Sequence, residues 1–422
     1  MKLRAGRFAR GSLVSASGLV ARAALQATYL VAVSRWLGVE GYGVFGTAVA
    51  TAVLLAPLSS WGAGYVYMEE AARRSALRSS LWRIISLQTI ATGCMLAAIA
   101  FIAAQGPVDL QLATAALVAI LVGEVIALPL AQMLTTVLVT AQRPWLAATS
   151  VCAVPFARVL GVLALVVWSV EPSITAMAIS HGGTSALAGL FVMLVAWHGV
   201  DRTAPGRSSV PVPGLKRRLL DGAPYALGAL VGLGYLEVDK LLILQLAGPT
   251  SAGTYTAAFR VAMVLFIPVT ALLANALPRL MAARQAGATT VLLPRVVIVA
   301  LTYAALAALL AWSAAPLMPR VFGVEFTAAS GLLVLLAGWL PLATLHQCGA
   351  SALLAQGHKT LRLLVETVGV GVVVGANLVL LPAWGAEGAV GALVCAETQM
   401  SIACWWLYHH YRRREGRGSA VA

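Results

Sequence analysis

Runs of about twenty or more predominantly apolar residues follow one another along this whole chain. A helix needs about 20 such residues to cross the hydrocarbon of a bilayer. Twelve runs can be marked, at 12–34, 42–66, 84–104, 111–136, 146–168, 174–197, 221–246, 253–278, 291–314, 327–354, 361–381 and 386–408. They are apolar on nearly all sides, whereas the strands of a membrane barrel alternate, which argues against a β-barrel. Composition agrees: 60% of residues are hydrophobic and 10% charged, far too little polar surface for a soluble domain. The fold class expected is therefore an all-α polytopic membrane protein of about twelve transmembrane helices.

The formal net charge of +14 could suggest nucleic acid, but its placement does not. The cations fall in short clusters between apolar runs. Arg73, Arg74, Arg78, Arg83, Arg143, Arg202, Arg207, Lys216, Arg217, Arg218, Arg279, Arg284, Lys359, Arg362 and the 412–417 arginines all lie on one side if the N-terminus is inside. The opposite loops hold only Arg35 and Arg320 as cations, with Asp109, Glu171, Glu325 and Glu387. By the positive-inside rule both termini are cytoplasmic, and the basic N-terminus leads into a retained first span. The five cysteines lie in apolar runs without metal-ligand spacing, so no metal site is expected. The aromatic residues Trp405, Trp406, Tyr408 and Tyr411 before the basic end form an interfacial belt.

The stretch HGVDRTAPGRSSVPVPGLKRRLLDG is the longest polar segment, and its prolines and glycines suit a connector. The organisation expected is a six-helix lobe over 1–197, a cytoplasmic linker over 198–220, a second six-helix lobe over 221–408 and a basic tail over 409–422. The halves echo one another. Gly43 falls on Gly253, Pro57 near Pro268, Pro129 near Pro341, and LVTAQRP near LLAQGHK, at offsets of 210–214 residues. With six spans each, the halves have parallel topology, an architecture suited to moving something across a membrane.

Charges at membrane depth are costly, so each is a cavity residue or a paired structural one. Arg22 is central in the first span, with no acid in that helix. It either faces a cavity or serves as packing glue paired with a distant acid. Facing a cavity, its fork suits a phosphate or diphosphate. Glu124 and Arg158 sit at similar depth in neighbouring spans, as a structural salt bridge, or with Glu124 in a proton or coupling-ion role. In YLEVDKLLILQ, Asp239 is expected to pair with Arg260 across the hairpin and Lys240 to snorkel outward. Glu237 points elsewhere on the helix, toward a cavity. Glu366 and Glu397 are candidates to line the second lobe. His181 and His346 read as core histidines, and Asn275 and Gln347 as interhelical hydrogen-bonders. Pro57, Pro129, Pro268 and Pro341 interrupt spans and are hinge candidates, or merely shape the helices.

There is no Walker, HExxH or dinucleotide motif, and the loops opposite the basic side are too short for an active site of their own, so an enzyme is not expected. No cofactor is expected either. Transport energy would come from an H+ or Na+ gradient, the membrane potential or consumption of the product.

SRWLGVEGYGVFGTAVA, LEVDKLLILQLAGPTSAGTYTAAFRVA, PLATLHQCGASALLAQGHKTLRLL and NLVLLPAWGAEGAVGALVCAE together resemble bacterial polysaccharide and oligosaccharide flippases. Their superfamily also holds multidrug and toxic-compound extruders and lipid II flippases. The resemblance implies two six-helix lobes in a V, and transfer of an undecaprenyl-diphosphate-linked oligosaccharide, or similar lipid-linked saccharide, across the bacterial cytoplasmic membrane for surface polysaccharide synthesis. It implies membrane lipids, a polysaccharide polymerase and glycosyltransferases as partners, no nucleic acid, and Arg22 and then Arg260 as cavity cations. Twelve spans rather than fourteen fit a polysaccharide-type member over a lipid II flippase. The alternatives are an ion-coupled multidrug or small-molecule antiporter of the same superfamily, a membrane glycan-synthesis enzyme, or a scaffold.

Overall fold

The computed structural model describes residues 2–73, 78–104, 112–200, 212–285 and 289–418. Arg74, Asp109, Arg202 and Arg207, and residues 201–211 of the expected linker, lie outside them. Every regular element among the described residues is helical. In order they are α1 (Lys2–Val53), α2 (Ala56–Ser60), α3 (Ala63–Arg73), α4 (Arg78–Ala103), α5 (Thr114–Leu121), α6 (Leu128–Thr140), α7 (Pro144–Val167) and α8 (Ile174–Val200). There follow α9 (Leu215–Gln285), α10 (Thr289–Ala314), α11 (Met318–Phe322), α12 (Thr327–Ala355) and α13 (Lys359–Gly418).

Among the described residues nine helical segments are long and apolar enough to cross a membrane, so the chain is a polytopic all-α membrane protein. Three of them, Ser17–Arg73, Leu215–Arg284 and Lys359–Arg413, run to 57, 70 and 55 residues. At 1.5 Å per residue even the shortest would reach about 80 Å, more than twice the hydrocarbon thickness. Each is broken at a glycine outside helical geometry, Gly38 (φ 69°), Gly248 (φ 84°) and Gly385 (φ 55°), and the first is broken again near Gly62. Only glycine takes such a backbone without a Cβ penalty. Gly38 falls between the runs 12–34 and 42–66, Gly248 between 221–246 and 253–278, and Gly385 between 361–381 and 386–408. Gly38 and Gly248 are separated by the offset of 210 that relates Gly43 to Gly253.

The prolines fall into two groups. Pro57 opens α2, and the chain then turns through Trp61 (φ 45°) and Gly62 (φ 68°). Pro129 stands at the start of α6, directly after a π-helical turn at Val122–Ala127. Its ring leaves the Val125 carbonyl without the N–H of an ordinary helix, and the backbone widens there. Pro268 and Pro341 lie inside helices that continue through them.

The chain divides into two compact units, Met1–Leu233 and Gly234–Ala422. In the first, Tyr67, Leu81, Ile85, Leu134, Val137, Leu138 and Val192 form a close-packed core from α3, α4, α6 and α8. Outward positions on α4, α7 and α8 are apolar too: Ile99, Leu163, Leu187 and Leu190 are exposed, as helices facing lipid require. The start of α9 packs onto the α2–α3 break. Trp61 Nε1 donates to the Leu219 carbonyl at 2.9 Å, Tyr225 hydroxyl to Glu69 at 2.6 Å, and Tyr65 stacks on Tyr225 with centroids 4.6 Å apart. A Cβ on Gly222 would overlap the Trp61 carbonyl oxygen. Cysteines placed at Tyr65 and Tyr225 together are therefore expected to crosslink on mild oxidation. The check is a reductant-sensitive join between fragments cut in the 201–211 segment, and separate fragments would refute the contact.

Candidate functional site

The first unit encloses a cavity of about 210 Å³ between α1, α6 and α7. Arg22, Gln26 and Tyr29 reach it from α1, Gln132 and Thr135 from α6, and Ser150, Pro155 and Arg158 from α7. The spacing is helical in each case. Residues 22, 26 and 29 share a face, and so do 150, 154 and 158, because i, i+4 and i+7 or i+8 lie one above another. Leu128, Ala131, Val151 and Val154 complete the wall. The lining thus carries two guanidinium groups, two amides and three hydroxyls on an apolar frame.

Arg22 is half-buried, and it makes no ion pair or hydrogen bond among the described residues. The hydroxyl of Ser150 is buried without a hydrogen-bond partner. Both groups are left with bonding capacity beside the cavity, and such groups are costly unless something satisfies them.

Arg158 is fixed from behind. Its Nη2 donates to Glu124 Oε1 at 2.7 Å and its Nε to Ser185 Oγ at 2.8 Å. Glu124 lies on the π turn and its carboxylate is 1% exposed. His181 Nε2 stands 2.8 Å from the same Oε1, and its Nδ1 is 2.6 Å from the Tyr29 hydroxyl. With the carboxylate as acceptor, Nε2 carries the proton and donates, which leaves Nδ1 to accept from Tyr29. Two cavity-lining side chains, Tyr29 and Arg158, therefore terminate one buried network from α1, α7, α8 and the π turn. Glu124 Oε2 has no partner within it.

The second unit contains a related arrangement with the roles exchanged. Tyr235 hydroxyl donates to Glu397 Oε1 at 2.6 Å, and His346 Nδ1 lies 2.8 Å from Glu397 Oε2. Trp339 Nε1 donates to the Tyr235 oxygen at 3.3 Å. In the first unit the carboxylate precedes α6 and the imidazole is on α8. In the second the imidazole is on α12 and the carboxylate on α13. The histidines read as core residues are indeed buried, but each is bonded to a carboxylate.

Three expectations for the LEVDK segment need correction. Asp239 does not pair with Arg260: Arg260 Nη2 bonds Glu237 Oε2 at 3.0 Å. Asp239 instead accepts from Tyr255 and from Lys240 Nζ, the latter at 2.9 Å. Glu237, expected to face a cavity, is buried in that ion pair. Lys240, expected to snorkel, is 0% exposed. The reason is local geometry. Positions 237 and 240 share a helix face at i, i+3, while Asp239, on another face, is taken up by Tyr255 and Lys240, so Arg260 meets the acid that the helix rotation presents to it. Glu366 makes a within-helix pair with Arg362 at 2.6 Å, apart from both networks.

Sequence reasoning missed Gln26, Tyr29, Gln132, Thr135 and Ser150. A search for polar residues at i, i+4 and i+7 of Arg22 would have found two of them. Among the described residues no group of three or more His, Cys, Asp or Glu could hold a metal ion.

In fold the chain is similar to an inward-facing multidrug resistance MATE family transporter of the MOP superfamily, with TM-score 0.74 and 13% identity over 93% of this chain and 97% of that one. It is also similar to the lipid II flippase MurJ in an inward closed conformation, with TM-score 0.71 and 11% identity over 93% and 87%. A MOP superfamily transporter from Pyrococcus furiosus, described by the reverse polarity of its binding pocket, matches with TM-score 0.65 and 13% identity over 95% of each chain. No curated protein matches the sequence. The sequence model of one family, described as polysaccharide biosynthesis protein, matches residues 8–283. That match takes in the LEVDK segment and the whole of the arginine-lined cavity, and it spans well over half of the 422 residues; the chain belongs to the polysaccharide biosynthesis protein family.

Proposed function

We propose that this protein is a twelve-span alternating-access transporter that moves a lipid-linked saccharide, of the undecaprenyl-diphosphate type, from the inner to the outer leaflet of a bacterial cytoplasmic membrane. Six spans would form each lobe, over 1–197 and 221–408, with both termini in the cytoplasm. The nine apolar helical segments, three of them interrupted at Gly38, Gly248 and Gly385, support the count. The family description and the likeness to MOP superfamily transporters support the class. A polymerase and glycosyltransferases are the partners that would use and supply such a substrate.

The observation that carries the substrate reading is the half-buried Arg22, unpaired among the described residues, in a small cavity whose polar groups sit on an apolar frame. Pockets for drug-sized molecules measure about 300–1,000 Å³, and this one is about 210 Å³. It suits a fragment such as a phosphate and the first sugar hydroxyls. Arg22 would grip the phosphate oxygens in its fork, while Gln26, Gln132, Thr135 and Ser150 offer hydrogen bonds to hydroxyl groups.

Delivery of a labelled lipid-linked glycan to the outer leaflet of proteoliposomes tests this. Arg22→Ala is expected to lower the rate by at least about tenfold, the scale of one lost charge-assisted hydrogen bond, with the protein still folded. Arg22→Lys is expected to keep part of it. Unchanged delivery by Arg22→Ala would remove this site from the pathway.

Extrusion of small molecules is the second reading, favoured by the likeness to the multidrug transporter. It predicts export of a cationic dye from the same vesicles and no glycan delivery. A guanidinium unpaired among the described residues opposes binding of a cation in the cavity, which is why the saccharide reading is preferred.

A further inference from the structure

Lys240 is the largest charged side chain sealed within the described structure, at 0% exposure. Its ammonium has a coordination shell rather than a single partner. Nζ donates to the Leu236 carbonyl oxygen and to Asp239 Oδ1, the latter at 2.9 Å, and Glu237 Oε2 lies at 3.5 Å. The fourth side is closed by the face of Phe259, with Nζ 4.1 Å from the ring centroid, and by Tyr255 at 5.7 Å. A backbone carbonyl and carboxylates are the oxygen ligands that hard cations take, and an aromatic face attracts a cation through its quadrupole. An ammonium differs from such an ion chiefly in being tied to the chain.

The charge balance points the same way. Glu237 and Asp239 contribute two negative charges, and Lys240 and Arg260 two positive ones. Arg260 is engaged with Glu237 Oε2 at 3.0 Å from the more open side, where it is 34% exposed. Asp239 is 0% exposed and its other oxygen accepts from Tyr255. Removing the ammonium would leave a buried carboxylate pair with one cation between them, and an uncompensated buried charge is not tolerated.

We infer that the turn Leu236–Lys240 is a monovalent-cation site whose occupant is the protein's own Lys240 ammonium, so that this part of the second unit carries a tethered cation and needs none from solution. All its oxygen ligands come from five consecutive residues, LEVDK, while Tyr255 and the Phe259 ring close it from beyond the Gly248 break. This inference does not rest on the proposed substrate.

The test uses the full-length protein in detergent, comparing wild type with Lys240→Met. Thermal midpoints are read in choline chloride, NaCl and KCl at equal ionic strength and pH. Wild type is expected to melt at one temperature in all three salts. Lys240→Met is expected to melt lower in choline and to recover, saturably, as Na+ or K+ is added, because a ligand that binds only the folded state stabilises it. The double variant Lys240→Met/Asp239→Asn, which lacks the excess negative charge, is expected to lose that recovery. The inference is overturned if the single variant melts alike in all three salts. It is equally overturned if recovery comes only on acidification, which would mean a proton takes the place, or if wild type shows the same ion-specific rise. Failure of Lys240→Met to fold in any salt, with or without Asp239→Asn, also overturns it, since no inorganic ion then substitutes for the side chain.

Discussion

Glu124→Ala is expected to lower the unfolding free energy by about 3–5 kcal/mol, the cost of stranding one partner of a buried ion pair. Arg158 would keep only Ser185 as a partner, in a space where it is 13% exposed. His181 Nε2 would lose its acceptor, and Tyr29 would be left holding an imidazole no longer oriented from the other side. The measurement is unfolding of the purified protein followed by a probe of helix content, against wild type in the same detergent. Glu124→Gln keeps an acceptor oxygen and is expected to cost less, about 1–3 kcal/mol. Converting both members, Glu124→Leu with Arg158→Leu, is expected to recover much of the loss, since apolar groups can replace a buried pair at little net cost. A loss below about 1 kcal/mol for Glu124→Ala would show that the network does not hold the first unit together.

The second large effect is at Gly182 and has an internal control one residue away. A Cβ at Gly182 would overlap the Ala119 carbonyl oxygen and stand 2.7 Å from its carbon. Those atoms are backbone of α5 and have no rotamer by which to escape. Gly123 faces the same point from the π turn, with its own Cβ position 3.3 Å from the Gly182 Cα. Small residues thus let α8 approach α5 and the π turn closely, as membrane helices do when they pack without a hydrophobic driving force. Gly182→Ala must push the helices apart, and it carries His181 away from Glu124 with them. The expected cost is about 1–3 kcal/mol, the usual scale of overpacking, and more for Gly182→Val. Gly183 has nothing within 4 Å of its Cβ position. Gly183→Ala is expected to stabilise by up to about 1 kcal/mol, because alanine is the better helix former and meets no clash. Thermal melting of the two variants side by side checks this. Equal and small effects would mean that the α5–α8 contact is looser than the structure has it.

The membrane class was legible because lipid imposes its demand residue by residue. Twenty apolar positions in a row satisfy it wherever they later pack, and a missing polar surface shows in composition alone. The breaks between spans were readable as gaps between the apolar runs, and Gly38, Gly248 and Gly385 fall in three of those gaps, where a positive φ selects glycine. The neighbourhood of Glu124 and Arg158 could be anticipated from their depth in adjacent spans. The rest of that network could not. Tyr29 lies 152 positions from His181, and only the packing of α1 against α7 and α8 brings the two helices to one place.

The cavity shows the same division. Arg22 announced itself as a lone charge in an apolar run, but Gln132, Thr135 and Ser150 look like ordinary span residues until three helices are set side by side. Helix rotation decided the LEVDK cluster: sequence distance put Asp239 and Arg260 level, and the turn of α9 presented Glu237 instead. Hydrophobicity and backbone sterics act on neighbours along the chain, so the sequence by itself determined that helices span and where they break. Ion pairs, cavities and close helix contacts depend on the rotation of one helix against another. That rotation is a property of the packed whole, and only the tertiary structure decided which buried charges meet and that Arg22 lines a cavity.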